Sequence, residues 1–202
     1  GEVFYQYGTP GSIWGNDAFV TVIPLQARWS PDSKHLFTVQ LDQRQVKTVG
    51  EIQHVPLDGS LRPKMRQRKL AFPEDTHVEM YRLLVIEVAT AQIQEANYAK
   101  IPTCMGAKGG FFDNSLGWWG TDARYAYFID LDRYHKYVRV VAFDTQTGTT
   151  KILIEETSGT RIDLVINPLG LARLMPLPAT RELLWISERS GWAHVYLYDL
   201  DT

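Results

Sequence analysis

Cysteine is all but missing. Cys104 stands alone among 202 residues, so no internal disulfide can form and no thiolate metal site exists. With no histidine near it in sequence it reads as a buried small hydrophobe, a reactive thiol being the alternative. Excess charge of one sign is lacking too: a net charge of −2 leaves no broad phosphate-binding surface, because non-specific nucleic-acid affinity is mostly electrostatic. No apolar stretch approaches the length of a membrane span. The opening Gly1-Glu2-Val3-Phe4-Tyr5 has neither the basic start nor the apolar core of a secretory leader, so the compartment is not legible. There is no initiator Met, and the chain stops at Asp201-Thr202 within a strand-turn phrase. The expectation is a piece of a longer polypeptide.

The marks of catalysis are also scarce. A serine hydrolase needs its nucleophile on a sharp strand-to-helix turn spelled Gly-x-Ser-x-Gly. Gly11-Ser12-Ile13-Trp14-Gly15 comes near, but Ser12 is out of register and no helix pattern follows. The five histidines, His35, His54, His77, His135 and His194, form no His-x-x-x-His pair for a metal. His194, in an alternating strand beside Val195 and Tyr196, reads as a packed or hydrogen-bonded core histidine. Asp130 and Asp132 before Arg133 read as a surface turn, a shared cation being the alternative. Gly106, Gly109 and Gly110 lie in a connection over 103–115; its amides could cradle an anion, but the spelling is not that of a Walker loop and no helix pattern follows. Neither cofactor nor metal is expected, and the chain taken alone is not expected to be an enzyme.

What the chain has is aromatic and β-forming residues: 45% hydrophobic and 12% aromatic, with six Trp and ten Tyr, the composition of a globular β-rich domain. It also has repetition. An aromatic start, a short polar turn, two alternating apolar runs and an acidic turn recur. One copy runs from Gly117-Trp118-Trp119-Gly120-Thr121-Asp122 to Phe143-Asp144-Thr145-Gln146-Thr147-Gly148, another from Arg181-Glu182-Leu183-Leu184-Trp185 to Tyr198-Asp199. A third opens at Arg28-Trp29-Ser30-Pro31-Asp32-Ser33 and closes at Ile86-Glu87-Val88-Ala89. The closing acids Glu87, Asp144 and Asp199 stand about 55 to 57 residues apart, a period that points to stacked blades or a solenoid. Trp119, where repeated blades place an aromatic toward a neighbour, is expected to be buried.

No amphipathic helix pattern of about ten residues or more appears, so the class is all-β. The expected strands are His35–Leu41, Tyr81–Val88, 118–130, Tyr137–Asp144, Thr150–Glu155, a first strand within 164–175, Leu183–Ser187 and Ala193–Tyr198. A β-prone stretch from Phe19 to Ile23 precedes them. Trp29 to Glu87 is longer than Trp119 to Asp144 by roughly 33 residues, and the excess reads as two inserted strands, 46–56 and 61–72, around Leu57-Asp58-Gly59-Ser60. In the second, Arg62, Lys64, Arg66 and Arg68 recur at period two and share one face. Three readings stay open: a solvated, edge-protecting face, a contact with a partner's carboxylates, and a contact with nucleic acid. The organisation expected is an incoming segment 1–25, a blade 26–100 with an arm at 42–75, a blade 115–158 and an incomplete blade 164–202. Together these make a partial β-propeller of about three four-stranded antiparallel blades, with a β-hairpin arm inserted in the first.

Several phrases together resemble a known family. Arg28-Trp29-Ser30-Pro31-Asp32-Ser33, Leu41-Asp42-Gln43-Arg44-Gln45-Val46, Glu155-Glu156-Thr157-Ser158 and Ser187-Glu188-Arg189-Ser190-Gly191-Trp192-Ala193-His194-Val195-Tyr196-Leu197-Tyr198-Asp199 are similar, in order, to the N-terminal propeller of the dipeptidyl peptidase IV family of prolyl-oligopeptidase-type serine peptidases. The first phrase is shared by many propellers; the last is far more specific. The resemblance implies a parent with an eight-bladed propeller and an α/β-hydrolase domain carrying Ser, Asp and His, which removes dipeptides from peptide N-termini with Pro or Ala in second position. It implies a propeller that limits access to the active site and offers a glutamate pair to the substrate's amino group. The corresponding stretch here, Gly15-Asn16-Asp17-Ala18-Phe19, carries Asp17 alone. The family's arm is also a dimer contact, which implies a homodimer meeting through Arg62, Lys64, Arg66 and Arg68, and a periplasmic or secreted parent fits the family. The rival reading is a stand-alone protein-binding propeller with no hydrolase partner.

Overall fold

Every described element is a strand, some alternating in burial as in Glu182–Ser187 and others buried nearly throughout as in Tyr125–Leu131, and no helix occurs among the described residues. The structure is a computed structural model that describes residues 5–7, 27–56, 58–102, 116–163, 165–166 and 171–201. The first sheet begins with β1 (Tyr5–Tyr7) and β2 (Ala27–Trp29), which pair antiparallel with opposite halves of β3 (His35–Asp42). The chain then leaves for an inserted hairpin, β4 (Thr48–Gln53) and β5 (Lys64–Lys69), and returns as β6 (Met80–Glu87) beside β3 and β7 (Ile93–Glu95) at the edge. The second sheet is a four-stranded meander of β8 (Gly117–Trp119), β9 (Tyr125–Leu131), β10 (Tyr137–Asp144) and β11 (Thr150–Thr157). A small hairpin, β12 (Val165–Ile166) and β13 (Leu171–Ala172), leads to a third sheet of β14 (Leu174–Leu177), β15 (Glu182–Ser187) and β16 (His194–Asp199). Pro176 is tolerated in β14 because, among the described residues, that strand is an edge paired with β15.

The repeat is visible in the turns. Ser30 N donates to His35 O at 2.9 Å and Gly120 N to Tyr125 O at 2.8 Å, closing equivalent turns. Ser33, Ala123 and Arg181 take left-handed φ values of 59°, 56° and 56° at the corresponding place in the three sheets. Asp32 and Asp122 cap the first two of these turns by accepting from Lys34 N and Arg124 N. The acidic turns match in the same way: Glu87 N to Gln92 O and Asp144 N to Thr149 O, each 2.9 Å. Gly148, at φ 80°, has no room for a Cβ, which would press into Gln94 Nε2 and stand 3.0 Å from Glu95 O.

The three sheets share one apolar core. Trp119 is 5% exposed, packs edge-on to Phe37 at 6.0 Å, and donates Nε1–H to Arg28 O at 2.9 Å. Its burial is as the repeat predicts. Trp29, its counterpart in the first sheet, is exposed. Tyr98, after β7, donates to Asp130 of β9 at 2.8 Å and stands edge-on to Phe128 at 5.2 Å. Ser187 of β15 donates to Glu156 Oε1 of β11 at 2.8 Å, joining the third sheet to the second.

Some expected boundaries change. The stretch 118–130 is a hairpin rather than a single strand, because Asp122 and the left-handed Ala123 turn the chain between β8 and β9. Within 164–175 the described residues form β12, β13 and the start of β14 rather than one first strand. The edge strand β7 was not foreseen: three residues with one apolar side chain give no periodic signal. Phe19–Ile23, Ser12 and Cys104 lie outside the described residues, as does the glycine-rich connection 103–115.

Candidate functional site

The meander sorts the loops by end. The β3–β6, β9–β10 and β15–β16 connections leave one end of the sheets, and the links into β8 and β14 start from that end as well. The candidate features gather there. The arm is the β3–β6 connection, and its register sets Lys64, Arg66 and Arg68 on one face opposite Gln53, Glu51 and Val49. Arg62 lies before β5 in a bend, outside the row, and is exposed. Lys64 is ion-paired with Asp58 across the tip. The other face carries Ile52 and Met65, 57% and 69% exposed. One face of the hairpin thus bears the basic row, and on the other Ile52 and Met65 are open to solvent beside Gln67 and Lys69.

At the arm's root the polar side chains are tied down. Asp42 holds Arg44 at 2.9 Å and Lys100 at 2.6 Å. The hydrogen bond from Arg44, with help from Lys100, keeps the Asp42 carboxyl well below the usual carboxylate range despite partial burial. Gln43 donates to Glu79 at 2.5 Å, and Lys69 Nζ donates to the carbonyls of Gln43 at 2.7 Å and Arg44 at 3.1 Å.

Between the second and third sheets the same end holds a cleft of about 270 Å³ lined by Glu156, Arg161, Asp163, Arg173 and Glu188. Arg173 and Glu188 pair across it at 2.8 Å. Beside it, His135 Nδ1 lies 3.1 Å from Ile162 O, and burial pushes the imidazole's pKa down. With Arg189 also in its wall, three acidic and three basic side chains line the cleft, so it carries no excess of one sign. Ser190 Oγ and His194 Nδ1 are 2.9 Å apart, but the same hydroxyl also meets Tyr196 OH at 2.9 Å, and among the described residues no carboxylate orients the imidazole. His194 is exposed rather than in the core: it lies opposite the buried Ser187, on the face that carries Trp185, but at the start of β16, the edge strand of the described sheet. Among the described residues no cluster of three or more His, Cys, Asp or Glu could hold a metal ion.

Asp130 and Asp132 do not act together. Asp132 caps the β9–β10 turn, accepting from Tyr134 N at 3.0 Å and Tyr137 N at 2.9 Å. Asp130 is 3% exposed, flanked by Tyr98, with Arg139 at 3.8 Å; its Oδ1 has no hydrogen-bond partner among the described residues, and burial raises its pKa. Nothing local in the sequence marks it, since Tyr98 is 32 positions away. Asp17 lies outside the described residues.

The family model for the N-terminal region of dipeptidyl peptidase IV matches residues 25–202. The chain belongs to the dipeptidyl peptidase IV family. Two crystal structures of the family share its fold. A candidate dipeptidyl aminopeptidase IV from Bacteroides ovatus aligns over 100% of this chain and 25% of its own, with a TM-score of 0.68 and 16% identity. Dipeptidyl peptidase 4 from Porphyromonas gingivalis aligns over 96% of this chain and 25% of its own, with a TM-score of 0.69 and 17% identity. The chain therefore spans about a quarter of the length of these proteins. The sheets are blades of a partial β-propeller, and no helix among the described residues is long and apolar enough to cross a membrane.

Proposed function

We propose that this chain is the non-catalytic propeller of a dipeptidyl-peptidase-IV-like serine exopeptidase, gating access and orienting peptides for an α/β-hydrolase domain. The observation that carries this reading is the family match over 25–202, joined to three successive sheets with equivalent turns. Within this reading residues 26–100, 115–158 and 164–202 act as successive blades behind an incoming segment 1–25. Asp17 supplies the carboxylate for the substrate's amino group, and the arm, with Arg62, Lys64, Arg66 and Arg68, meets a second copy of the chain. Exposed cations facing one another's carboxylates make such a contact sensitive to salt.

The reading frame beyond Thr202 tests this. A hydrolase domain containing Gly-Trp-Ser-Tyr-Gly-Gly supports the peptidase, since that spelling is a nucleophile elbow. An early stop codon would instead leave a stand-alone binding propeller.

A further inference from the structure

Beyond Val46, which is buried at its root, the arm's larger apolar side chains are open: Ile52, Val55, Leu61, Met65 and Phe72 are all more than half exposed. Among the described residues, the second sheet reaches it through the guanidinium of Arg133. Arg133 Nη1 donates to Asp75 O at 2.5 Å, and Nη2 donates to Phe72 O at 2.6 Å and Pro73 O at 2.8 Å. These carbonyls belong to the segment that returns from β5 to β6, and they lie about 60 residues from Arg133 in sequence.

Both sides of this contact are set in advance. Arg133 stands on the β9–β10 turn, which is fixed by the Asp132 caps and by a left-handed His135 at φ 57°. The carbonyls stand on a turn closed by Asp75, whose carboxylate accepts Phe72 N at 2.9 Å and Lys47 Nζ at 2.5 Å while Asp75 N donates to Phe72 O at 3.0 Å. Three converging carbonyls need several donors held in one plane. The arginine fork supplies them, and a lysine ammonium, a compact charge on a flexible stem, does not.

We propose that Arg133 is a positioning residue that fastens the arm to the neighbouring blade and so fixes the orientation in which the arm is presented to its partner. The partner half of this statement rests on the arm contact given under Proposed function. The fastening itself does not.

The test is hydrogen–deuterium exchange on the intact protein and its Arg133→Ala and Arg133→Lys variants, with sedimentation velocity on the same samples. In Arg133→Ala the amides of 48–53 and 64–69 should exchange about tenfold faster or more, the change that about 1.4 kcal/mol of lost fastening produces, while amides of β9 and β10 keep their protection. Arg133→Lys should fail to restore slow exchange although it keeps the charge, and it serves alone should the alanine variant not fold. Arm exchange unchanged in either folded variant, or fully restored by lysine, overturns the proposal. A loosened arm with unchanged self-association leaves the fastening standing and removes the arm from the partner contact.

Discussion

Replacing Trp119 with alanine tests whether the first two sheets are packed as neighbouring blades. The indole is 5% exposed, meets Phe37 at 6.0 Å and His35 at 6.5 Å, and donates Nε1–H to Arg28 O at 2.9 Å. Truncating a large buried aromatic costs about 3–5 kcal/mol through lost transfer energy and the cavity left behind. The hydrogen bond accounts for about 0.5–1.5 kcal/mol of that. Trp119→Phe, which keeps an aromatic ring but not the donor, should therefore lose less than half of what alanine loses. With a urea slope of about 2 kcal/mol/M, the alanine midpoint should fall by about 2 M with the slope unchanged. A loss below about 1 kcal/mol would mean that the side chain carries no packing and that the interface between the sheets is wrong.

Gly148→Ala should destabilise by about 1–2 kcal/mol, because a Cβ at a left-handed φ is strained and would crowd Gln94 and Glu95; an unchanged thermal midpoint would contradict the turn. Burial raises the Asp130 carboxyl's pKa, so its favourable contribution is complete below the unfolded value and is lost as pH rises through the folded one. Asp130→Asn should thus gain on the wild type as pH rises from acid to neutral in paired urea titrations, and a gap that is flat with pH would refute this. If the arm's cationic face helps hold two copies together, self-association measured by light scattering should weaken as salt is added, and Arg66→Glu should weaken it further at low salt. A strictly monomeric protein at high concentration would remove the contact.

Much of this fold could be read from residues that punctuate it. Asp32 and Asp122 sit where turns need caps, the Trp-initiated phrases mark the starts of sheets, and the surplus between Trp29 and Glu87 is the arm. Alternation placed Lys64, Arg66 and Arg68 on one face because period two is a local property. The contacts that join sheets were not legible. Arg133 and Phe72 are 61 positions apart, and Tyr98 and Asp130 are 32 apart; their pairing depends on how blades stack, which no local spacing encodes. His194 shares the face of the buried Trp185 and Ser187, as alternation implies, but whether anything covers an edge strand is not a local property of the sequence.

The most direct measurement is hydrolysis of Gly-Pro and Ala-Pro chromogenic dipeptides by the intact protein that carries this chain and by residues 1–202 expressed alone. The account predicts turnover by the intact protein, lost when its hydrolase serine is replaced, and none above buffer by the chain alone. Cleavage by the chain alone that survives repurification and Ser12→Ala, or an intact protein with no such activity, would contradict it.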